Sequence, residues 1–81
     1  MIYPNQIRAA RGLLDINQEE LARRSKVGLA TVRRIENSTD DLRTTVQVLM
    51  RIQRALESAG IIFIDQDGQG GPGVRLRKTS T

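Results

Sequence analysis

The chain contains no cysteine and no histidine. The first absence excludes disulfide staples, and the two together remove the usual ligands of a zinc or haem site. They also remove the side chains that most often act as nucleophile or general base. The acids are scattered along helix surfaces and one loop, so no paired carboxylates suggest an enzyme. Asp65 and Asp67 lie close enough to meet a cation, but two carboxylates in a turn are commonly turn residues. No enzymatic activity, cofactor or metal is expected. "QDGQGG" is not a phosphate loop, because neither a Lys–Ser/Thr pair nor a helix follows it. No apolar run approaches the roughly 20 residues that cross a bilayer. The opening "MIYPNQIRAARGLL" lacks the charged start, apolar block and cleavage site of a secretory leader. The expectation is a soluble, cytoplasmic protein with no membrane partner.

Basic side chains are plentiful. Thirteen Lys and Arg stand against nine Asp and Glu, for a net charge of +4. Eleven of the thirteen are Arg, whose planar fork suits phosphate and guanine edges. Charge alone does not identify a nucleic-acid binder, so a motif is needed. At 81 residues the chain supports at most one domain with one small core.

Helical spacing dominates the first sixty residues. Pro4 suits a first helical position, and Ile7, Ala10, Leu13 and Leu14 follow the helical period and are expected inward. Asp15-Ile16-Asn17 ends that helix. Asn17 caps the next, with Glu20 completing a pattern like a capping box. The second helix spans about 18–25 with Leu21 and Ala22 inward, and "SKVG" breaks it. Gly28 caps a third helix over 29–36, with Val32 and Ile35 inward. "NSTDDLR" is a polar loop. Thr44 or Thr45 caps a longer helix to about Ala59. Val46, Leu49, Ile52, Leu56 and Ala59 form its stripe, which Val48 and Met50 widen. Gly60 sits where a helix-terminating glycine belongs.

Beyond Gly60 the period changes. "IIFID" and "VRLRK" flank the glycine-rich "QDGQGGPG", a β-hairpin signal with a long loop. The expected class is mainly α: four helices and a C-terminal β-hairpin. The organisation read from this is a helical unit over 1–60, a hairpin over 61–78, and a frayed tail over 79–81.

"QEELARRSKVGLATVRRIE" resembles the helix-turn-helix of the phage-repressor or Cro type, the XRE family of transcriptional regulators. With Gln18 as the first motif position, Leu21 is the aliphatic fourth and Ala22 the small fifth. Ser25 is the small eighth, and Val27, Val32 and Ile35 are the apolar tenth, fifteenth and eighteenth. Lys26 stands where the family usually has glycine, so it must take a left-handed backbone, at a cost of order 1 kcal/mol. The resemblance covers roughly residues 4–59 and implies a sequence-specific regulator of double-stranded DNA. It also implies an ion pair between Arg11 and Glu36, which makes Arg11 structural.

A tight break lets the second helix of such a pair project into the major groove. Away from its inward pair, the third helix shows Leu29, Ala30, Thr31, Arg33, Arg34 and Asn37. Arg33 is the leading candidate to read a base. Arg34 is read as touching a phosphate or crossing to helix two. Leu29 and Ala30 meet a thymine methyl or simply permit close approach, and Thr31 lies at the edge. In the family the residue at Gln18 often binds a phosphate, helped by the helix N-terminus. Asn37, Ser38, Thr39 and Arg43 are candidates for the flanking backbone, where contacts fix register without carrying sequence information. Lys26 reaches a phosphate or nothing, and of Arg23 and Arg24 one is read as solvated.

The hairpin has two readings. Ile61, Phe63, Val74 and Leu76 cover the helices on one face, leaving Ile62 and Ile64 on the other. Six apolar positions in two short strands exceed what one buried face needs, and a lone hairpin is marginal in water. Pairing with a second chain through Ile62, Ile64, Val74 and Leu76 is the favoured reading, giving a homodimer on a palindromic operator. The other is a monomer with the hairpin folded on helix four. A protein-binding module with the same fold, an antiactivator or the antitoxin of a pair, is the alternative function.

Overall fold

The computed structural model describes residues 2–38 and 44–78. Four helices precede a two-stranded antiparallel sheet: α1 Pro4–Leu14, α2 Gln18–Ser25, α3 Leu29–Glu36, α4 Val46–Ser58, β1 Ile61–Ile64 and β2 Gly73–Leu76. The fold is mainly helical with a C-terminal hairpin, as its periodicity predicts.

The helix ends follow from local chemistry. The Asn17 side chain accepts from the Glu20 backbone N–H at 2.8 Å, and Thr45 accepts from the Val48 N–H at 3.1 Å. Thr45, not Thr44, is therefore the cap of α4. The expected box at Asn17 is only half formed. The Glu20 carboxylate turns outward to Arg23 and Arg24 instead of reaching back to the cap, because two guanidinium groups attract it more strongly than one amide. They hold its pKa down at about 2, chiefly through the hydrogen bond from Arg23 and then that from Arg24.

Helices α1 and α2 stop in the same way. Asp15 and Lys26 both take left-handed backbones, with φ of 56° and 57°. Behind them the Ile16 N–H reaches the Arg11 carbonyl at 3.1 Å, and the Val27 N–H reaches that of Ala22 at 3.1 Å. These bonds satisfy carbonyls that the helix leaves without partners. Asp tolerates such a backbone through its short polar side chain. Lys26 has no such relief, and it confirms the left-handed turn expected at that position. Gly60 closes α4 with φ 108°, a value that glycine adopts without strain.

The core draws on every element except β2: Ile7 and Ala10 from α1, Leu21 and Ala22 from α2, Val32 and Ile35 from α3, Leu49, Ile52 and Leu56 from α4, and Ile61 from β1. Ile2 and Val27 complete it. Helix α2 packs on α3 and α4, α1 packs on α3, β1 lies against α4, and β2 lies against α1. Three expectations need correction. Leu13, Val46 and Met50 match the helical period, yet all three are exposed. Each lies at the margin of its stripe, and no element among the described residues covers it.

The hairpin register pairs Ile61 with Leu76, Ile62 with Arg75, Phe63 with Val74 and Ile64 with Gly73. Ile61, Phe63, Val74 and Leu76 thus share one face. Phe63 and Val74 pack against the core, but Leu76 is 48% exposed, so it does not cover the helices as expected. Gln6 fastens the other end. Its buried amide donates to the carbonyls of Gly73 at 2.9 Å and Ile64 at 3.3 Å, while its oxygen accepts from the Tyr3 N–H at 2.8 Å. In the loop, the Asp67 carboxylate accepts from the N–H groups of Gln69 and Gly70. That supports the turn reading of this residue.

Candidate nucleic-acid interface

Helix α3 is seated from beneath. Val32 and Ile35 are fully buried, and Glu36 is only 2% exposed. A buried carboxylate requires compensation, and Arg11 supplies it through two parallel bonds of 2.8 Å, from Nε to Oε2 and from Nη2 to Oε1. Those bonds raise the pKa of Arg11 above its ordinary value. The ion pair implied by the family resemblance is present. Gln18 Nε2 donates to the same Oε1 at 3.2 Å, so one carboxylate joins α1, the start of α2 and the end of α3. Arg8 adds a fourth tie by donating to the Glu36 backbone carbonyl. Sequence reasoning passed over Arg8. Its only signal is a position one turn before Arg11.

What α3 leaves outside follows from its period. Ala30, Arg33, Arg34 and Asn37 are exposed and stand at i, i+3, i+4 and i+7, one continuous stripe. No acid lies in this stripe. Leu29 and Thr31 are half-buried at its margin, with Leu29 packed against the core. Arg33 has no carboxylate partner among the described residues. Ser38 donates to the Arg34 carbonyl at 2.9 Å and extends the last turn. Gln18 lies half-buried beside the base of the stripe; its amide retains a second hydrogen after the bond to Glu36. Arg43 and Thr39, read as backbone contacts, lie outside the described residues. Among the described residues no cluster of acids could hold a metal ion, and no helix is long and apolar enough to cross a membrane.

The order of parts is a short helix, a tight left-handed turn, and a second helix seated at a carboxylate and bare of acid on its outer face. A family model described as helix-turn-helix matches residues 7–59. The chain belongs to the XRE-type helix-turn-helix family. As a member of that family it is a DNA-binding helix-turn-helix regulator. No curated protein gives a significant match to the chain. The match stops at Ala59, so the hairpin of this helix-turn-helix protein lies beyond the family pattern.

Proposed function

We propose that this regulator is a homodimeric, repressor-like switch that lays α3 in the major groove of each half of a palindromic operator. The observation that supports this most is the acid-free stripe Ala30, Arg33, Arg34 and Asn37 on the helix that follows the turn. Arg33 reads a base, and Ala30 lets the helix approach closely. Leu29 and Thr31 touch the groove wall from the margin. Arg34, Asn37 and Gln18 hold the phosphate backbone, and Arg43 extends that contact past α3. The homodimer forms through the hairpin face bearing Ile62 and Ile64; Val74 and Leu76, expected in the same interface, lie on the opposite face, with Val74 packed against the core. Ile64 is 40% exposed, apolar surface that a second chain would bury.

The test is a mobility-shift assay with DNA upstream of the protein's own gene across a range of salt. Affinity should fall steeply as salt rises, in proportion to the phosphates neutralised. Arg33→Ala should erode discrimination between operator and unrelated DNA by about 5- to 150-fold, the equivalent of about 1–3 kcal/mol for one bidentate base contact. Gln18→Ala should weaken every sequence alike. Discrimination that survives Arg33→Ala removes that residue from base reading. A chain that engages no duplex at low salt removes the whole proposal.

Light scattering addresses the dimer. Ile64→Glu places a charge on the outer hairpin face and should convert dimers to monomers at micromolar concentration. A wild-type chain that already runs as a monomer refutes the dimer and leaves the α3 reading untouched.

A further inference from the structure

A second cationic surface lies where α2 meets α4, an open groove of about 450 Å³. Arg24 and Lys26 form one wall at the end of α2, and Arg51 and Arg54 form the other on α4. Small side chains, Ser25 and Ala55 among them, form the floor between the two walls. No acid lines the groove. Arg24 is engaged by Glu20 at 2.7 Å, whereas Lys26, Arg51 and Arg54 have no carboxylate partner among the described residues. Four residues beyond Arg51 and Arg54 stand Ala55 and Ser58, and Glu57, three residues beyond Arg54, accepts from the Gln53 amide at 3.3 Å and makes no ion pair with Arg54 among the described residues. Three cations that make no ion pair face one groove and repel one another, and an anion seated between them relieves that repulsion.

The position of the groove indicates which anion. Lys26 lies three residues before Leu29, so at most about 11 Å of chain separates the groove from the first turn of α3. A helix in the major groove, about 12 Å wide, has a phosphate strand close on either side. We infer that the groove takes the sugar-phosphate backbone of duplex flanking the bases that α3 contacts. The inference rests on the reading of α3 as a major-groove helix. Lys26 meets the strand where it leaves the base-read segment. Arg51 and Arg54 continue the cationic track along α4, so a flank that follows it leans toward the protein, with the bending offset by the added contacts. An acidic peptide fits the same charges, but nothing brings one next to α3, whereas DNA is already placed there by the family's function.

The probe is the best-binding duplex that the full chain selects from a randomised pool of about 20 bp, prepared bare and with about 12 bp of unrelated flank on each side. Flanks should raise wild-type affinity about tenfold at about 50 mM salt. The double variant Arg51→Gln/Arg54→Gln should bind the bare duplex as the wild type does and lose the flank gain. Two phosphate contacts fewer should flatten its log–log salt slope on the flanked duplex by about 1.8, or about 12-fold between 50 and 200 mM. Circular dichroism matched to wild type confirms that the variant is folded. Flanks without effect on the wild type overturn the inference alone. So do flanks that help the double variant equally. If flanks add nothing while a polyglutamate peptide binds wild type but not the variant, the groove is a protein-docking site and the inference is overturned. If selection recovers no duplex, the proposed function fails and the inference fails with it.

Discussion

Arg11→Ala is expected to remove about 3–5 kcal/mol of folding stability. The Glu36 carboxylate is 1% exposed and the Arg11 side chain 21% exposed. Truncating Arg11 removes both charge-assisted bonds and leaves a buried anion with only the Gln18 amide for company. A domain of this size is stable by about 4–12 kcal/mol in total, so the variant should be marginal at room temperature. Urea unfolding followed by circular dichroism measures the loss. The double replacement Arg11→Met/Glu36→Leu provides the control. It removes the stranded charge together with its partner, and should recover much of the stability that Arg11→Ala loses. A loss below about 1 kcal/mol for Arg11→Ala would mean that water reaches Glu36 and that the pair is an ordinary surface bridge. The functional consequence is geometric. This pair fixes the end of α3 against α1, and the same carboxylate holds Gln18. A weakened pair should therefore impair α3 and Gln18 together, reducing DNA affinity even where the chain still folds.

That ion pair illustrates how far the sequence could be read. Its members are 25 residues apart, and no local period connects them; only the resemblance to the XRE family brought them together. Helix limits, by contrast, are local. Pro4, Asn17 and Gly60 act on their own turns, so the predicted ends agree closely with α1, α2 and α4. The assignment of inward and outward positions is local only at the middle of a stripe. Ile7, Leu49 and Ile52 are central and buried. Leu13, Val46 and Met50 are marginal, and their exposure is decided by whether another element arrives to cover them. Glu20 shows a competition that the sequence left open. A carboxylate three residues after a cap can serve the cap or serve nearby arginines, and here it takes the arginines. Gln6 carried no legible signal, because its partners lie 58 and 67 residues away in the hairpin. Arg51 and Arg54 belong to no motif legible in the sequence, and only the approach of α2 turns them into one wall of a cationic groove.

The hairpin gives the second large effect. Ile61→Ala should cost about 2–5 kcal/mol, the range for deleting most of a buried aliphatic side chain and leaving a cavity. Ile61 is 3% exposed and belongs to the same apolar cluster as Ile52 and Leu56. Phe63 and Val74 rest against that cluster, and Gln6 ties the far end of the strands to α1. The strands should therefore melt with the helices in a single transition, although the family pattern ends at Ala59. Chemical denaturation followed by helical circular dichroism and by amide exchange of the strand residues checks this, with coincident transitions expected for wild type and Ile61→Ala. Two separated transitions, or a cost below about 1 kcal/mol, would show the hairpin to be an independent appendage. The result also governs how the dimer is examined. Deleting everything after Gly60 strips Ile61, Phe63 and Val74 from the core as well as any contact between chains. Monomers from such a truncation would report an opened core, not a broken interface. A charge at Ile64, which faces outward in a hairpin otherwise intact, separates the two causes.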